Sequence, residues 1–357
     1  MDSEHQRISV GVYGATGYMG GEVLRVLLEH PNVDVRWITS RSEGDIEEFH
    51  PNLFGLGLKL SDPNKLARVD LVFVGLPFAA TFDCVERFLQ AGSRVIDMSA
   101  AFRLKNLKIW EEVYRMRHPL PLRVEEAIYG VTELRESAIR QARLVAMPGC
   151  YSSAVILSLA PLVSAGLIDT SAIVTTGLSG TIGAGAELHK AAHHPEIGGN
   201  IVPYNATGHR HISEMEQELS AISGDRVHVR FTPIYVPIVR GLLTVSYLKL
   251  RSAKTSAETV RRVLKEAYHT SPFIHIMTKE RSPDASWDYA PYPWVSAIAG
   301  TNYCLLAVEA QSNQNELTVF AALDSVGKGG AHVAVECMNL MFGLPRNAGL
   351  SSRALHP

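Results

Sequence analysis

The apolar positions of the chain follow two different rhythms. From Ile8 to Met98, short apolar runs alternate with stretches whose apolar residues recur at helical spacing. Ile8, Val10 and Val12 open a strand. Val23, Leu24, Val26, Leu27 and Leu28 line a helix that stops before Pro31, and Val33 to Thr39 is a second strand. The run Asp70 to Val74 is continuous rather than alternating, the pattern of a strand covered on both faces in a parallel sheet. A helix over 79–91 and a strand over 93–98 follow. This alternation predicts an α/β fold, a Rossmann-type doubly wound sheet that gathers ligands at the C-terminal ends of its strands.

The rhythm changes around residue 150. Leu144-Val145-Ala146 is a strand, the Pro148-Gly149 pair breaks it, and Ser152 and Ser153 are helix-start residues for the apolar run behind them. Strands rich in β-branched and aromatic residues are then predicted over 172–178, 227–236, 241–250, 301–310 and 316–323. Several alternate apolar with polar positions, which suits an α+β domain with a mostly antiparallel sheet covered on one face. Gly327 to Ala331 leads into a last helix reaching residue 342, with Val333, Ala334, Cys337, Met338 and Met341 at core spacing. The expected organisation is two domains: 1–149 with 328–357 for a dinucleotide, and 150–327 for catalysis, substrate and oligomerisation.

Composition removes whole classes of function. A chain of 357 residues exceeds one ordinary core. Lys and Arg number 34 against 36 Asp and Glu, so no basic field recruits nucleic acid or a membrane surface. Four cysteines without regular spacing make neither a disulfide framework nor a zinc site, and a reducing cytoplasm is the expected compartment. Met1 to His5 is polar and lacks the core of a signal peptide. The uncharged span from Met147 to Ile168 is interrupted by Pro161 and Gly166, so it reads as a core helix rather than a membrane span.

The chemistry concentrates at a few places. Cys150 stands at a strand-to-helix break, where helix N–H groups and dipole favour the nucleophilic thiolate; Cys84, Cys304 and Cys337 sit inside apolar patterns and read as buried packing. Gly14, Ala15, Thr16, Gly17, Tyr18 and Met19 form a glycine turn between strand and helix, the arrangement that lets a backbone approach a pyrophosphate. After the second strand, Ser40-Arg41 stands where an NAD site carries Asp or Glu, and Arg there accommodates a 2′-phosphate, so NADP is the expected cofactor. Leu76, Pro77 and Ser99 occupy further strand ends and are assigned to the cofactor groove. Gly180 and Gly329, in small-residue loops that admit a ligand against the backbone, join them. Arg103 and Arg240 are candidate anchors for an anionic substrate group, and Ser179 lies in the same small-residue loop. Of the histidines, His189, His193 and His194 lack a third ligand at a zinc interval, so no metal is expected. His209, on a turn before a helix, is the candidate acid/base partner of Cys150, with His211 in reserve and Glu214 to orient whichever acts.

Taken together these motifs resemble the N-acetyl-γ-glutamyl-phosphate reductase family over nearly the whole chain. The resemblance rests on Gly14 to Tyr18, Tyr129 to Leu134, Met147 to Tyr151, Gly208 to His211, Pro237 to Gly241, Gly300 to Tyr303 and Lys328 to Gly330. It implies Cys150 as nucleophile, His209 as acid/base, and NADPH-dependent reduction of a small acyl phosphate through a thioester, in arginine biosynthesis, by a homodimer or homotetramer. A close branch acts on aminoadipyl phosphates of lysine biosynthesis, and Ala192 to Glu196 is similar to that branch. Aspartate-semialdehyde and glyceraldehyde-phosphate dehydrogenases share the logic, but the latter follow their cysteine with Thr-Thr-Asn where Tyr151-Ser152-Ser153 stands here. Ala101, Ala186, Phe78 and Ser153 replace the family's usual Asp, Arg, His and Thr, which leaves room for a catalytically silent NADP-binding regulatory protein as the contrasting class.

Overall fold

The computed structural model describes residues 7–278, 289–311, 314–350 and 353–354; the N-terminal residues considered for a signal peptide lie outside them. The chain forms two compact units. One runs to Pro148 and takes back Gly330–Ser351; the other is Gly149–Gly329 with the terminal residues.

The first unit is the doubly wound sheet that the alternation predicts. Its elements are β1 (Ile8–Tyr13), α1 (Tyr18–Leu28), β2 (Val33–Thr39), β3 (Leu71–Val74), α2 (Phe78–Gln90), β4 (Arg94–Asp97), α3 (Leu107–Tyr114), α4 (Pro121–Glu126), β5 (Ile128–Tyr129), α5 (Thr132–Gln141) and β6 (Leu144–Ala146). The strands lie in the order β2-β1-β3-β4-β6-β5, every pair parallel. Period-two alternation splits the strand side chains into two layers. Leu71, Phe73, Ile96 and Val145 join one core cluster, with α1 and the last helix, His332–Met341. Val72, Val74, Val95 and Leu144 join the other, with α2, Phe102 and Trp110. Helices α3 to α5 lie in a stretch where charged residues blur the apolar period; α3 is started by Asn106, whose side chain accepts the Lys108 and Ile109 N–H groups.

The second unit holds α6 (Cys150–Ser164), β7 (Ile173–Ser179), α7 (His194–Ile197), β8 (Val202–Pro203), α8 (His211–Ser223), β9 (Val229–Tyr235), β10 (Leu242–Lys249), α9 (Ala257–Ala267), β11 (Ile274–Ile276), β12 (Cys304–Gln311) and β13 (Glu316–Leu323). The sheet order is β11-β12-β13-β10-β7-β9-β8. It is mixed: β7–β9 and β11–β12 are parallel, and the other four pairs are antiparallel. Residues Tyr151 to Val163 of α6 are buried all round. A helix apolar on every side belongs in the middle of a fold, and α6 packs against α8, α9, β10 and β13. Gly177 of β7 makes room for this packing, because a Cβ there would stand 2.5 Å from Cε1 of Tyr151. Among the described residues no helix is long and apolar enough to cross a membrane.

Candidate active site

In the first unit the parallel register brings the strand ends level: Tyr13 pairs with Thr39 and Val74, Val74 with Asp97, and Asp97 with Ala146. The candidate cofactor residues therefore emerge from one edge of the sheet. Gly14 needs to be glycine twice over. Its φ is +91°, and a Cβ would lie 2.3 Å from the Gly75 carbonyl oxygen. Gly20 packs the helix onto this turn, a Cβ there falling 2.2 Å from the Gly14 oxygen. Gly17, the residue before α1, has only the Gly14 oxygen near it, at 3.6 Å, and the first turn of α1 carries neither a side-chain cap nor an acidic residue. The turn thus leaves space and N–H groups for a phosphate. Ala15 is buried and its carbonyl bonds to Nε2 of His50 at 2.8 Å, a support no motif announced. Tyr18 is exposed, and Met19 packs against the core.

At the end of β2, Ser40 is buried, its Oγ accepting the Ser42 N–H at 3.0 Å, while Arg41 is exposed. Leu76 is half-buried and Pro77 exposed at the start of α2. Ser99 is buried, its N–H donating to Asp97 Oδ1 at 2.8 Å. Burial pushes the Asp97 carboxyl up to about 6, opposed by Ser99 and by the charge of Arg103. Arg103, considered above as an anion anchor, is itself buried beside Asp97. Two positions where the resemblance expects other residues lie here: Ala101 is fully buried and Phe78 packs on the same cluster, edge-on to Trp110 at 6.0 Å. A carboxylate at 101 would be desolvated in this setting.

In the second unit Cys150 is the first residue of α6 and partly exposed, whereas Cys84, Cys304 and Cys337 are buried. Burial raises the Cys84 thiol to about 12, which makes it inert. The N–H of Gly149, just ahead of Cys150, donates to Glu214 Oε2 at 2.9 Å. The other oxygen of Glu214 lies 3.9 Å from Nε2 of His211. Glu214 therefore holds the entry to α6 as well as facing His211. His211 lies flat against Gly149: a Cβ on that glycine would meet Nε2 at 2.2 Å.

His209 and His211 are perpendicular neighbours, 4.6 Å between centroids. His209 is enclosed by Tyr151 at 5.8 Å, Tyr204 at 5.7 Å and Phe231 at 5.4 Å. Burial, with the Arg210 charge adding to it, lowers the His209 imidazole to about 4, so the ring is neutral near pH 7. Its Nδ1 accepts the His211 backbone N–H at 3.2 Å, which leaves the ring proton on Nε2. Tyr204 stacks on Tyr235 at 4.3 Å, and its hydroxyl lies 3.5 Å from that of Tyr151. Burial raises all three phenols, and the Cys150 charge acts on each in the same direction, which sets the thiol beside this aromatic group. Tyr204, Tyr235 and Phe231 belong to none of the sequence motifs, whereas Tyr151 stands in one as the residue after Cys150.

Ser179 ends β7, and Gly180 after it lies against the turn between β9 and β10. Gly180 N–H bonds to Gly241 O, and a Cβ on Gly180 would stand 2.4 Å from Val239 O. That turn carries Arg240, whose Nε donates to buried Asp324 at 3.0 Å. Gly329 backs onto the thiol residue, since a Cβ there would lie 2.8 Å from Cys150 Cβ. Gly180 and Gly329, expected with the cofactor, thus fall in the second unit with Cys150, Ser179, His209, His211, Glu214 and Arg240.

A glycine turn ahead of a helix in one unit, and in the other a helix-start thiol whose charge acts on the tyrosines that enclose a neutral imidazole, suit a semialdehyde dehydrogenase, an oxidoreductase class. Residues 9–142 match the model of the semialdehyde dehydrogenase NAD binding domain, and residues 150–325 that of the semialdehyde dehydrogenase dimerisation domain. The chain is 35% identical to the N-acetyl-gamma-glutamyl-phosphate reductase of Pelotomaculum thermopropionicum, over 98% of this chain and 99% of that one. It is 40% identical, over 98% and 99%, to a Thermomicrobium roseum protein curated under the provisional name LysW-L-2-aminoadipate 6-phosphate reductase. Aspartate semialdehyde dehydrogenase II of Vibrio cholerae shares the fold, with a TM-score of 0.69 at 18% identity over 95% of this chain and 99% of that one. The chain belongs to the N-acetyl-γ-glutamyl-phosphate reductase family.

Proposed function

We propose that the protein reduces N-acetyl-glutamyl 5-phosphate to the 5-semialdehyde and phosphate with NADPH, through a thioester on Cys150. The observation that carries this reading is the partly exposed thiol at the first residue of α6, its entry peptide held by Glu214 and its charge acting on Tyr151 and Tyr204, the rings that also enclose neutral His209. A carboxylate cannot accept hydride, whereas a thioester can. Cys150 Sγ attacks the acyl carbon, and the N–H groups of the first turn of α6 receive the oxyanion. Its collapse breaks the C–O bond to phosphate. His209, hydrogen-bonding through Nε2–H, is where the one proton that the leaving phosphate requires enters; the bound phosphate's charge raises the imidazole's proton affinity at that stage. Gly14 to Met19 would hold the dinucleotide, and the chemistry it would supply when bound is hydride donation. The same N–H groups then hold the second oxyanion, and breakage of the C–S bond frees the aldehyde and returns the thiolate.

Ser40-Arg41, with no carboxylate at the end of β2, supports NADP over NAD. Ser179, His211 and Arg240 are assigned to the substrate with Arg103 and Glu214; of the five only Arg240 is partly exposed, the others being buried. For assembly, Val174 and Tyr247 are exposed on the sheet face opposite α6, and this face suits a second copy of the chain. The similarity to the Thermomicrobium roseum protein favours one rival substrate, the acyl phosphate longer by a methylene.

Phosphate-dependent NADP reduction, assayed with N-acetylglutamate semialdehyde beside its longer homologue, decides between them. Cys150→Ala is expected to abolish activity on either. Full activity in that variant overturns the mechanism. A wild-type protein inert toward both aldehydes, with a Cys150 that resists alkylation at neutral pH, would indicate the silent NADP-binding class.

A further inference from the structure

Asp324, the residue after β13, belongs to none of the candidate motifs, yet its carboxylate is fully buried and bonded on both oxygens. Oδ2 accepts Arg240 Nε at 3.0 Å and the Gly300 N–H at 2.6 Å. Oδ1 accepts the Val326 N–H at 2.9 Å and the Gly327 N–H at 3.2 Å. Its carbonyl accepts the Gly329 N–H at 2.9 Å. One residue thereby ties three stretches distant in sequence: the β9–β10 turn, the segment after Ile298, and the glycine turn that lies against Cys150. The glycines are required by that arrangement, because a Cβ on Gly327 would strike Thr301 O at 2.2 Å and one on Gly329 would strike Cys150 Cβ at 2.8 Å.

We propose that Asp324 is a positioning residue. By taking the Nε edge of Arg240 it fixes the guanidinium as the anchor for the anionic group of a reactant at Cys150, and by capping the 326–329 turn it sets the backbone wall behind the thiol. Arg240 remains partly exposed in this pairing. A guanidinium has donors on more than one edge, so a carboxylate on one edge orients the group for an anion on another. A lysine in its place has a single ammonium to give. The assignment rests on the substrate role proposed for Arg240.

The test uses the whole chain and two alkylating reagents, anionic iodoacetate and neutral iodoacetamide. With each, Cys150 Sγ forms the S–C bond and iodide leaves, and a Cys150→Ala blank subtracts other thiols. Asp324→Asn and Arg240→Lys are each expected to lower the iodoacetate-to-iodoacetamide rate ratio about tenfold, the factor a single charge-assisted hydrogen bond carries. A merely structural loss slows both reagents alike and leaves the ratio where it was. Ratios within about twofold of wild type in folded Asp324→Asn, or in Arg240→Lys, overturn the proposal, and Arg240→Lys carries the test where Asp324→Asn does not fold. Because the readout needs no turnover, a wild type without phosphate-dependent NADP reduction would sink the proposed reaction while a lowered ratio still upheld the role of Asp324.

Discussion

Replacing Gly149 by alanine isolates the packing that sets the thiol. The backbone at Gly149 is extended, φ −69° and ψ 147°, so alanine adopts it without torsional strain. By reducing the conformational entropy of the unfolded chain, the change by itself favours folding by about 0.4–1 kcal/mol. In the folded chain the new methyl would stand 2.2 Å from Nε2 of His211 and 2.5 Å from Cδ2 and Cε1. Ordinary contact, at about 3.5 Å or more, requires the ring to retreat by about 1.3 Å. His211 is buried against Tyr151 and His209, and its backbone carbonyl lies 3.4 Å from Ser152 Oγ, so the retreat is resisted from several sides. Overpacking of this kind costs about 1–3 kcal/mol. The net destabilisation expected is on the order of 1–2 kcal/mol, or about 2–8 °C for a unit of this size. Movement at Gly149 passes directly to the next residue, and misplacement of a reacting group by about 1 Å can cost about a hundredfold in rate. Thermal melts and the iodoacetamide rate at Cys150 measure the two effects. The double variant Gly149→Ala, His211→Ala supplies the check: with the ring gone the methyl has space, so the double variant should be no less stable than His211→Ala alone. Gly149→Ala with wild-type melting and alkylation would refute the reasoning, as would full additivity in the double variant.

Two further outcomes follow from the same structure. His209 is lowered to about 4 by burial, below the ordinary 6.5, so the unfolded chain binds the extra proton between these values. Stability contributed this way is complete above pH 6.5 and is lost as pH falls toward 4, on the order of 3 kcal/mol in all. Asp97, raised to about 6, acts in the opposite sense as pH rises from the ordinary carboxylate range to 6, so the comparison must be with His209→Asn, whose urea-unfolding free energy should rise less with pH, its slope lower than the wild type's by about one proton between pH 4 and 6.5; identical slopes would remove the claim. For the cofactor, Arg41→Ala should raise the Michaelis constant for NADPH about tenfold and leave that for NADH nearly unchanged, since Arg–phosphate contacts are charge-assisted; equal effects on both cofactors would place Arg41 outside the 2′-phosphate site.

The parts of this protein legible in its sequence are those whose signal is local. The covered strand Asp70 to Val74, the turn at Gly14 and the Pro-Gly break before Cys150 each carry their geometry in neighbouring residues, and α6 begins at the cysteine as that break requires. What escaped notice depends on contacts between distant segments. Tyr204 and Tyr235 stack across the β8–β9 pairing, and Phe231 closes the cage of His209 from a strand whose alternation marked it only as core. Asp324 had a signal, an acidic residue at a strand end followed by turn residues, the usual place for a side chain to cap backbone N–H groups. That signal announces the bonds to Val326 and Gly327 but not those to Arg240 and Gly300. Glu214 shows the same limit from the other side. Its place one helical turn beyond His211 made it a partner for a histidine, yet the bond it makes at 2.9 Å is to Gly149. The spacing within a helix brings side chains onto one face, but what that face meets is decided by the packing of α8 on α6, which brings Glu214 onto the peptide N–H just ahead of α6.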